Sequence, residues 1–451
     1  MKQKIDRSHY LFTNKQLAAL IGPLVIEQLL AVLVGMADSI MIANVGEAAV
    51  SGVSLVDNIM VLLINIFAAL ATGGAVVAGQ YLGQENKKDA CKSATQLVWF
   101  VTLCAVGITV LVYLGKDLIL DHIFGQITAE VRGHANIYLL IVAASIPFIA
   151  LYNGGAAIFR AMGNSRISMV VSMIMNVINV SGNAILIFGL HRGTEGVAIP
   201  TLVSRMVAAV IIIVLLCQEK WTLHIERSWR FKPNKKMIRN ILRVGVPNGL
   251  ENSMFQLGKI LVLSLVSTFG TYAIAANAVS NAVALFHILP GMSMGLAITT
   301  VVSQCVGAGD YEQVQYYLKK MLAMTYGAIV VTVGIIYLMM PLILKAYHLS
   351  DLTARTTEQI VAFHGLSCIV IWPVSFSLPS AFRASGDARM CMIISVASMW
   401  IFRIGFSYLL GLYFGMGVFG IWVAMVIDWV VRAICFVIRY RGGKWKHAAL
   451  V

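Results

Sequence analysis

Two carboxylates lie inside the first apolar segment of this chain, at a depth where an ionised side chain is costly and usually serves function. Glu27 and Asp38 stand eleven residues apart. Three helical turns separate them with only about 20° of rotation, so they lie on one face of a helix. That face cannot contact lipid. We expect it to line the protein interior or a wet cavity, where a carboxylate can hold a cation or a proton.

Three asparagines follow at one-turn spacing in the fifth apolar segment. Asn179 and Asn183 share a helical face, and Asn176 lies one turn earlier. Amide oxygens bind hard cations such as Na⁺, and amide nitrogens donate to carboxylates. Asparagines in membrane helices also join helices by hydrogen bonds alone, so a structural role is the alternative to a binding site.

The chain contains its own pattern twice, at a spacing of about 224 residues. Pro23, Glu27, Gly46, Ala49, Gln80 and Gly83 recur as Pro247, Glu251, Gly270, Ala273, Gln304 and Gly307. The acid-and-amide residues do not recur: Val262 stands at the position matching Asp38, and Met399, Phe402 and Phe406 match the asparagines. The repeat therefore predicts a symmetric fold in which only the first half retains the polar cluster, and this asymmetry favours a site over a structural contact.

Further ionisable residues lie at membrane depth in the second half. Asp428 and Arg432 are four residues apart on one helical face, with Arg403 on the preceding segment. They form either an internal ion-pair network or a second transport site. Glu251 and Lys259 lie about 12 Å apart along a helix and need not touch.

Long apolar segments set the fold class. The chain is 59% hydrophobic and 12% charged, with a mean hydropathy of +0.83. A soluble protein carries about twice that charged fraction. Segments of 20 or more residues cross a bilayer. We predict an all-α polytopic membrane protein with twelve transmembrane helices, near residues 17–43, 50–80, 94–115, 133–158, 167–190, 195–217, 241–268, 274–304, 318–345, 357–381, 391–412 and 417–438.

The repeats and the basic residues predict the domain organisation. Two pseudo-symmetric six-helix lobes, related as a parallel repeat, span 1–217 and 241–451, joined by a basic connector at 218–240. Twenty-five lysines and arginines fall on the side of the termini and only five on the other. This split predicts a protein of the cell (inner) membrane with both termini cytoplasmic. The net charge of +14 follows from these flanking residues, so we expect the lipid bilayer as a partner and no nucleic acid.

Nothing in the sequence indicates an enzyme. The seven cysteines are scattered without a C-x-x-C pair, and the nine histidines include no ligand-spaced pair. We expect His287 and His364 to have hydrogen-bonded structural roles. No phosphate-binding loop or acidic phosphoryl-transfer motif occurs in the chain.

Together, these residues resemble the multidrug and toxic compound extrusion (MATE) family over almost the whole chain. The resemblance is carried by the segments from Pro23 to Gly46, 80–83, 159–163 and 196–205, in this order and partly duplicated. It implies that Asp38, Asn179, Asn183 and Thr201 form the cation site of the N-terminal lobe. It implies export of organic cations, often drugs, driven by Na⁺ or H⁺.

The expected function is thus a secondary active multidrug exporter that exchanges amphipathic, cationic small molecules for Na⁺ or H⁺. We expect a monomer with no cofactor beyond the coupling ion; if that ion is Na⁺, its ligands are Asp38, Asn179 and Asn183. The substrate cavity is expected to include Glu27, Asp57, Asn176 and Glu251. The alternatives are a lipid-linked oligosaccharide flippase, which needs clustered arginines for a pyrophosphate, and a channel or receptor.

Overall fold

The computed structural model describes residues 9–226 and 232–451, and within these ranges the chain forms helices and short connections without a β-strand. The all-α prediction is therefore confirmed for the described residues. Twelve long helical segments follow one another in the chain. Their bounds are Asn14–Ala43 (α1), Glu47–Gly83 (α2), Lys87–Leu114 (α3), Ala129–Ala143 with Ile146–Ala161 (α4), Ser165–Gly189 (α5), Glu195–Leu216 (α6), Lys235–Ser267 (α7), Thr271–Gly307 (α8), Tyr311–Ala346 (α9), Asp351–Ser385 (α10), Ala388–Tyr413 (α11) and Gly417–Arg441 (α12).

These segments account for the predicted membrane spans. Ten are long and apolar enough to cross a membrane, and the two parts of α4, bent by 48°, make an eleventh. The twelfth, α7, has a lower hydropathy because polar side chains interrupt it between Asn248 and Lys259. The protein is therefore a polytopic all-α membrane protein, as the sequence predicts, with twelve long helical segments in its described residues.

Prolines mark irregular points in α4 and α10, the fourth helices of the two halves. Proline has no N–H to donate and is best tolerated in the first turn of a helix. The break between the two parts of α4 places Pro147 in the first turn of the second part. In α10, Pro373 begins a π-helical turn that ends at Ser377. The fourth helix of each half thus has a proline at an irregular point.

The described helices form two compact units whose bounds differ from the two sequence repeats. The N-terminal unit comprises residues 26–82 and 86–252. The C-terminal unit comprises the described residues up to Val25, together with 83–85 and 253–451. Consequently α1 and α7 each contribute their first part to one unit and their remainder to the other.

Close backbone packing at a glycine joins the first part of α7 to α2 in the N-terminal unit. A Cβ atom on Gly73 of α2 would lie 2.4 Å from the carbonyl oxygen of Ile241 in α7. The two backbones therefore meet without a side chain between them. In the C-terminal unit, Ser293 of α8 donates to the carbonyl oxygen of Leu24 in α1 at 3.4 Å. The first helix of each repeat thus begins in the unit formed mainly by the other repeat.

The predicted connector at 218–240 is anchored to α3. The amide of Gln96 donates to the carbonyl oxygen of Lys232 at 2.8 Å and accepts from the N–H of Asn234 at 2.9 Å. Residues 227–231 lie outside the described part of the chain. The described part of the connector thus belongs to the N-terminal unit and leads directly into α7.

Candidate functional site

A polar cluster joins α1, α5 and α6 inside the N-terminal unit. The amide nitrogen of Asn183 donates to Oδ1 of Asp38 at 2.7 Å. In the amide orientation that satisfies both of its polar groups, Asn179 donates to the same oxygen at 2.9 Å and accepts from the Thr201 hydroxyl at 3.1 Å. The structure therefore brings together the four residues that the sequence and the resemblance grouped as a cation site.

The cluster is sheltered and contains an unused oxygen. Asn179, Asn183 and Thr201 are less than 9% exposed, whereas Asp38 is half-buried. Oδ1 of Asn183 is buried and has no hydrogen-bond partner among the described residues. Burying an unpaired polar atom costs free energy, and such an atom in a native site calls for a partner. Next to a carboxylate, an amide oxygen is suited to bind a hard cation.

The same face of α1 contacts α5 a second time. Ser168 donates to Oε2 of Glu27 at 2.9 Å, and Asn183 contacts Asp38 fifteen residues later. Both contacts progress in the same direction along the two helices, so α1 and α5 run parallel. Glu27 and Asp38 thus lie on one face of α1, as the helical period predicts.

The contacts of Glu27 are those of a buried ion pair. Its carboxylate is 3.4 Å from a guanidinium nitrogen of Arg160 and also accepts from the Tyr152 hydroxyl at 3.4 Å. Together with Ser168, these partners contact both carboxylate oxygens of Glu27. Glu27, expected in the substrate cavity, therefore joins α1 to α4 and α5.

Asp57 belongs to a second polar group in the N-terminal unit. It accepts from the hydroxyl of Tyr138 in α4 at 2.8 Å. Arg205 of α6 donates to the Ser145 hydroxyl at 2.8 Å and interacts electrostatically with Asp57 and Asp38. Tyr138 and Ser145 could not be predicted from the sequence, because an isolated hydroxyl in an apolar segment carries no spacing signal.

The other two residues expected in the substrate cavity have different surroundings. The amide nitrogen of Asn176 is buried and has no hydrogen-bond partner among the described residues, so Asn176 does not join the hydrogen bonds around Asp38. Glu251 lies in the first part of α7 and is buried, with 7% of its surface exposed. Neither residue belongs to the cluster of Asp38.

The ionisable residues of α11 and α12 form an incomplete network in the C-terminal unit. Asp428 accepts from Nε of Arg432 at 3.0 Å and from the Ser398 hydroxyl at 2.5 Å. Nε of Arg403, in contrast, is buried without a hydrogen-bond partner among the described residues. Asp428 and Arg432 thus form the ion pair that their spacing suggested, and Arg403 is not hydrogen-bonded into it.

Two histidines that are far apart in sequence meet in the C-terminal unit. Nδ1 of His287 lies 2.9 Å from Nδ1 of His364, and the Cys368 thiol is 3.6 Å from the latter atom. Two nitrogen ligands of a tetrahedral zinc ion lie about 3.3 Å apart, given Zn–N distances of about 2.0 Å. The observed separation is instead that of a hydrogen bond between the two rings. The i,i+4 pair of His364 and Cys368 was the one local signal for this cluster.

Comparison with known proteins relates both halves of the chain to one family. The MatE family model matches residues 23–185 and again 247–409. A probable multidrug resistance protein, NorM, from Thermotoga maritima is 27% identical over 97% of this chain and 94% of its own length. An uncharacterized transporter, YisQ, from Bacillus subtilis is 25% identical over 99% of this chain and 96% of its own. The outward-facing structure of a multidrug resistance MATE transporter shares the fold, with a TM-score of 0.90, 21% identity and 96% coverage of each chain.

Proposed function

The chain belongs to the MatE family of multidrug transporters, and we propose that it exports amphipathic small molecules in exchange for Na⁺ or H⁺ bound at Asp38. The observation that carries this proposal is the cluster of Asp38, Asn179, Asn183 and Thr201 within one unit. Its ligand atoms come from three helices, so binding of an ion there changes the contacts among all three helices.

The cluster can respond to either ion through its hydrogen bonds. As a carboxylate, Asp38 accepts from both asparagines. Protonation turns one carboxylate oxygen into a donor, and that oxygen then seeks an acceptor such as the unpaired Oδ1 of Asn183. Na⁺ instead attracts amide oxygens, so the amide of Asn183 or Asn179 rotates. In both cases the bonds that join α1 to α5 are exchanged.

This exchange of bonds provides the coupling. An ion drives transport only if it binds two conformations of the protein with unequal affinity, and the same holds for the exported molecule. The contacts between α1 and α5 differ between the ion-free and ion-bound cluster. We propose that the conformation that favours the bound ion is the one that binds its cargo weakly.

The direction of transport follows from the direction of the ion gradient, and the predicted topology identifies the cytoplasmic side of the protein. The distribution of basic residues favours an inner-membrane protein whose two termini are both in the cytoplasm, according to the positive-inside rule. Inward flow of Na⁺ or H⁺ then drives cargo outward.

A second candidate function is the movement of an anionic, lipid-linked substrate. It is favoured by one observation, namely that Lys259 and Arg403 line a single cavity in the C-terminal unit. Such a substrate needs cationic groups for its phosphates.

Reconstituted protein distinguishes these functions. Proteoliposomes are loaded with a fluorescent amphipathic substrate, and an inward Na⁺ gradient or an inward H⁺ gradient is imposed separately. We expect efflux under one of the two gradients and none when an ionophore collapses it. If neither gradient drives efflux of any small molecule while labelled lipid crosses the bilayer, the exporter proposal is wrong and the second candidate stands.

A further inference from the structure

A basic cavity of about 340 Å³ lies within the C-terminal unit, whereas the cluster of Asp38 belongs to the N-terminal unit. Its volume is in the range of small-ligand sites. It lies between α7, α8, α11 and α12, and no carboxylate lines it among the described residues. The lining residues are Lys259, Val262, Leu263, Asn277, Asn281, Ala282, Leu285, Arg403, Ile421, Trp422 and Met425.

Three cations surround one aromatic ring beside this cavity. Lys259 Nζ lies 5.1 Å from the centre of the Phe255 ring, and the guanidinium carbons of Arg403 and Arg432 lie at 5.2 and 5.6 Å. Attraction to the ring face contributes to holding the three groups there. The arrangement is specific to the second half of the repeat, because the position that matches Phe255 in the first half is occupied by Ala31.

The positive charge of this group is only partly balanced. Asp428 forms an ion pair with Arg432. Lys259 and Arg403 form no ion pair with a described residue, and Nε of Arg403 is buried without a hydrogen-bond partner. Nε of Arg403 is thus a buried cationic donor without a partner, and the exposed Lys259 adds a second positive charge to the cavity, so a mobile anion is attracted to this place. A cation is repelled from it.

The remaining wall of the cavity suits the body of an amphipathic molecule. Val262, Leu263 and Leu285 supply aliphatic surface, and Trp422 supplies an aromatic one. Trp422 is held by the hydrogen bond from its Nε1 to Oδ1 of Asn277 at 3.0 Å. A guanidinium fork binds a carboxylate or a phosphate through two parallel hydrogen bonds, and an ammonium group binds the same anions as a compact point charge.

We propose that this cavity binds an amphipathic organic anion, with a carboxylate, sulfonate or phosphate next to Lys259 and Arg403 and an apolar body against Trp422. The anion is either a free solute or the head of an anionic lipid, since both offer the same chemistry. This proposed ligand differs in charge from the cationic cargo that was expected from the sequence. Only the statement that the bound anion is also the cargo rests on the proposed export function.

Two probes of one shape and opposite charge test the cavity directly. Binding of radiolabelled 2-naphthoate and of 2-naphthylmethylammonium is measured by equilibrium dialysis on full-length protein in phosphatidylcholine nanodiscs. We expect the native protein to prefer naphthoate. Lys259→Gln and Arg403→Gln should each weaken naphthoate binding about 10-fold or more, and Lys259→Glu should favour the ammonium probe. Arg355→Gln, which removes an exposed charge from the same unit, should change binding less than twofold.

The outcomes distinguish a lipid head from a free solute as the bound anion, and they distinguish anion binding from the proposed export function. Loss of naphthoate binding in nanodiscs that contain phosphatidylglycerol identifies a lipid head as the competing anion, whereas unchanged binding identifies a free solute. The proposal is overturned if the native protein prefers the ammonium probe. It is also overturned if Lys259→Gln and Arg403→Gln, both with the melting temperature of the native protein, leave naphthoate binding unchanged. If naphthoate binds but no gradient drives its efflux, the anion site stands and its role in export fails.

Discussion

Replacing Asp38 by asparagine tests ion binding apart from folding, because the asparagine can keep both hydrogen bonds that Asp38 accepts but cannot supply the negative charge that attracts a cation. The nitrogens of Asn183 and Asn179 approach the same oxygen, Oδ1, at 2.7 and 2.9 Å. The carbonyl oxygen of an introduced asparagine can accept both bonds. A hydrogen bond to a charged acceptor contributes about 1.5–3 kcal/mol and a neutral one about 0.5–1.5 kcal/mol, so two bonds weaken by about 2 kcal/mol together. The smaller desolvation of a neutral group offsets part of this loss.

The coupling ion loses somewhat more. A carboxylate oxygen and a monovalent cation about 2.4 Å apart attract each other by about 7 kcal/mol at an effective dielectric constant of about 20. If desolvation offsets about two thirds of that attraction, about 2.3 kcal/mol remains, and its loss weakens ion binding about 40-fold. A proton cannot be held by the amide at all. Asp38→Asn should therefore abolish efflux driven by either gradient.

The assay measures three quantities on one preparation: gradient-driven efflux from proteoliposomes, binding of the same labelled substrate without a gradient, and the melting temperature in detergent. We expect efflux to be lost, while substrate binding and the melting temperature remain close to those of the native protein. Asp38→Glu retains the charge and should keep part of the efflux. Ser39→Ala, which removes only a hydroxyl bonded to the carbonyl of Gly35, should keep all of it. Native efflux by Asp38→Asn at matched protein amounts would refute the reasoning.

Other expectations follow from packing, ion pairing and topology. Gly73→Ala should lower the melting temperature by several degrees, because its Cβ would lie 2.4 Å from a backbone oxygen of α7, whereas Gly35→Ala, with nothing within 4 Å, should not; equal melting temperatures would contradict the backbone contact. Glu27→Gln should destabilise the protein by about 1–3 kcal/mol through its ion pair with Arg160 yet leave the choice between Na⁺ and H⁺ unchanged, and a switched choice of ion would place Glu27 in the coupling site. A single cysteine in the loop between α5 and α6 should react with an impermeant reagent in intact cells and one in the connector should not, and the reverse pattern would invert the topology.

Local periodicity accounts for what the sequence predicted well. Eleven residues bring Glu27 and Asp38 to one face of α1, and four residues bring Asn179 and Asn183 to one face of α5. Both are properties of one helix, so they can be read without knowing its neighbours. The helix that faces each pair, however, depends on how three helices pack. The same packing determines that Arg160 and Tyr152 are the partners of Glu27.

The basic cavity could not have been predicted for a related reason. Lys259, Asn277 and Arg403 lie on three helices with no common spacing in the sequence. In addition, Arg403 stands in a π-helical turn, Met399–Ile404, which changes the direction of its side chain from that of a regular α-helix. The pattern grouped Arg403 with Asp428 and Arg432, and in the structure Arg403 lies with Arg432 around the Phe255 ring, but its Nε has no hydrogen-bond partner among the described residues.

The exchange of first helices between the units has a consequence for how the protein is made. The N-terminal unit is complete only when residues 232–252 have left the ribosome, because α2 meets α7 at Gly73. The beginning of α1 is synthesised first, yet its contact at Leu24 is with α8, which emerges much later. The first half must therefore wait in the membrane until α7 and α8 are synthesised, because only then can α2 and the beginning of α1 make these contacts. A membrane chaperone or insertase that shields α1 and α2 during this interval would protect the chain at its most vulnerable stage.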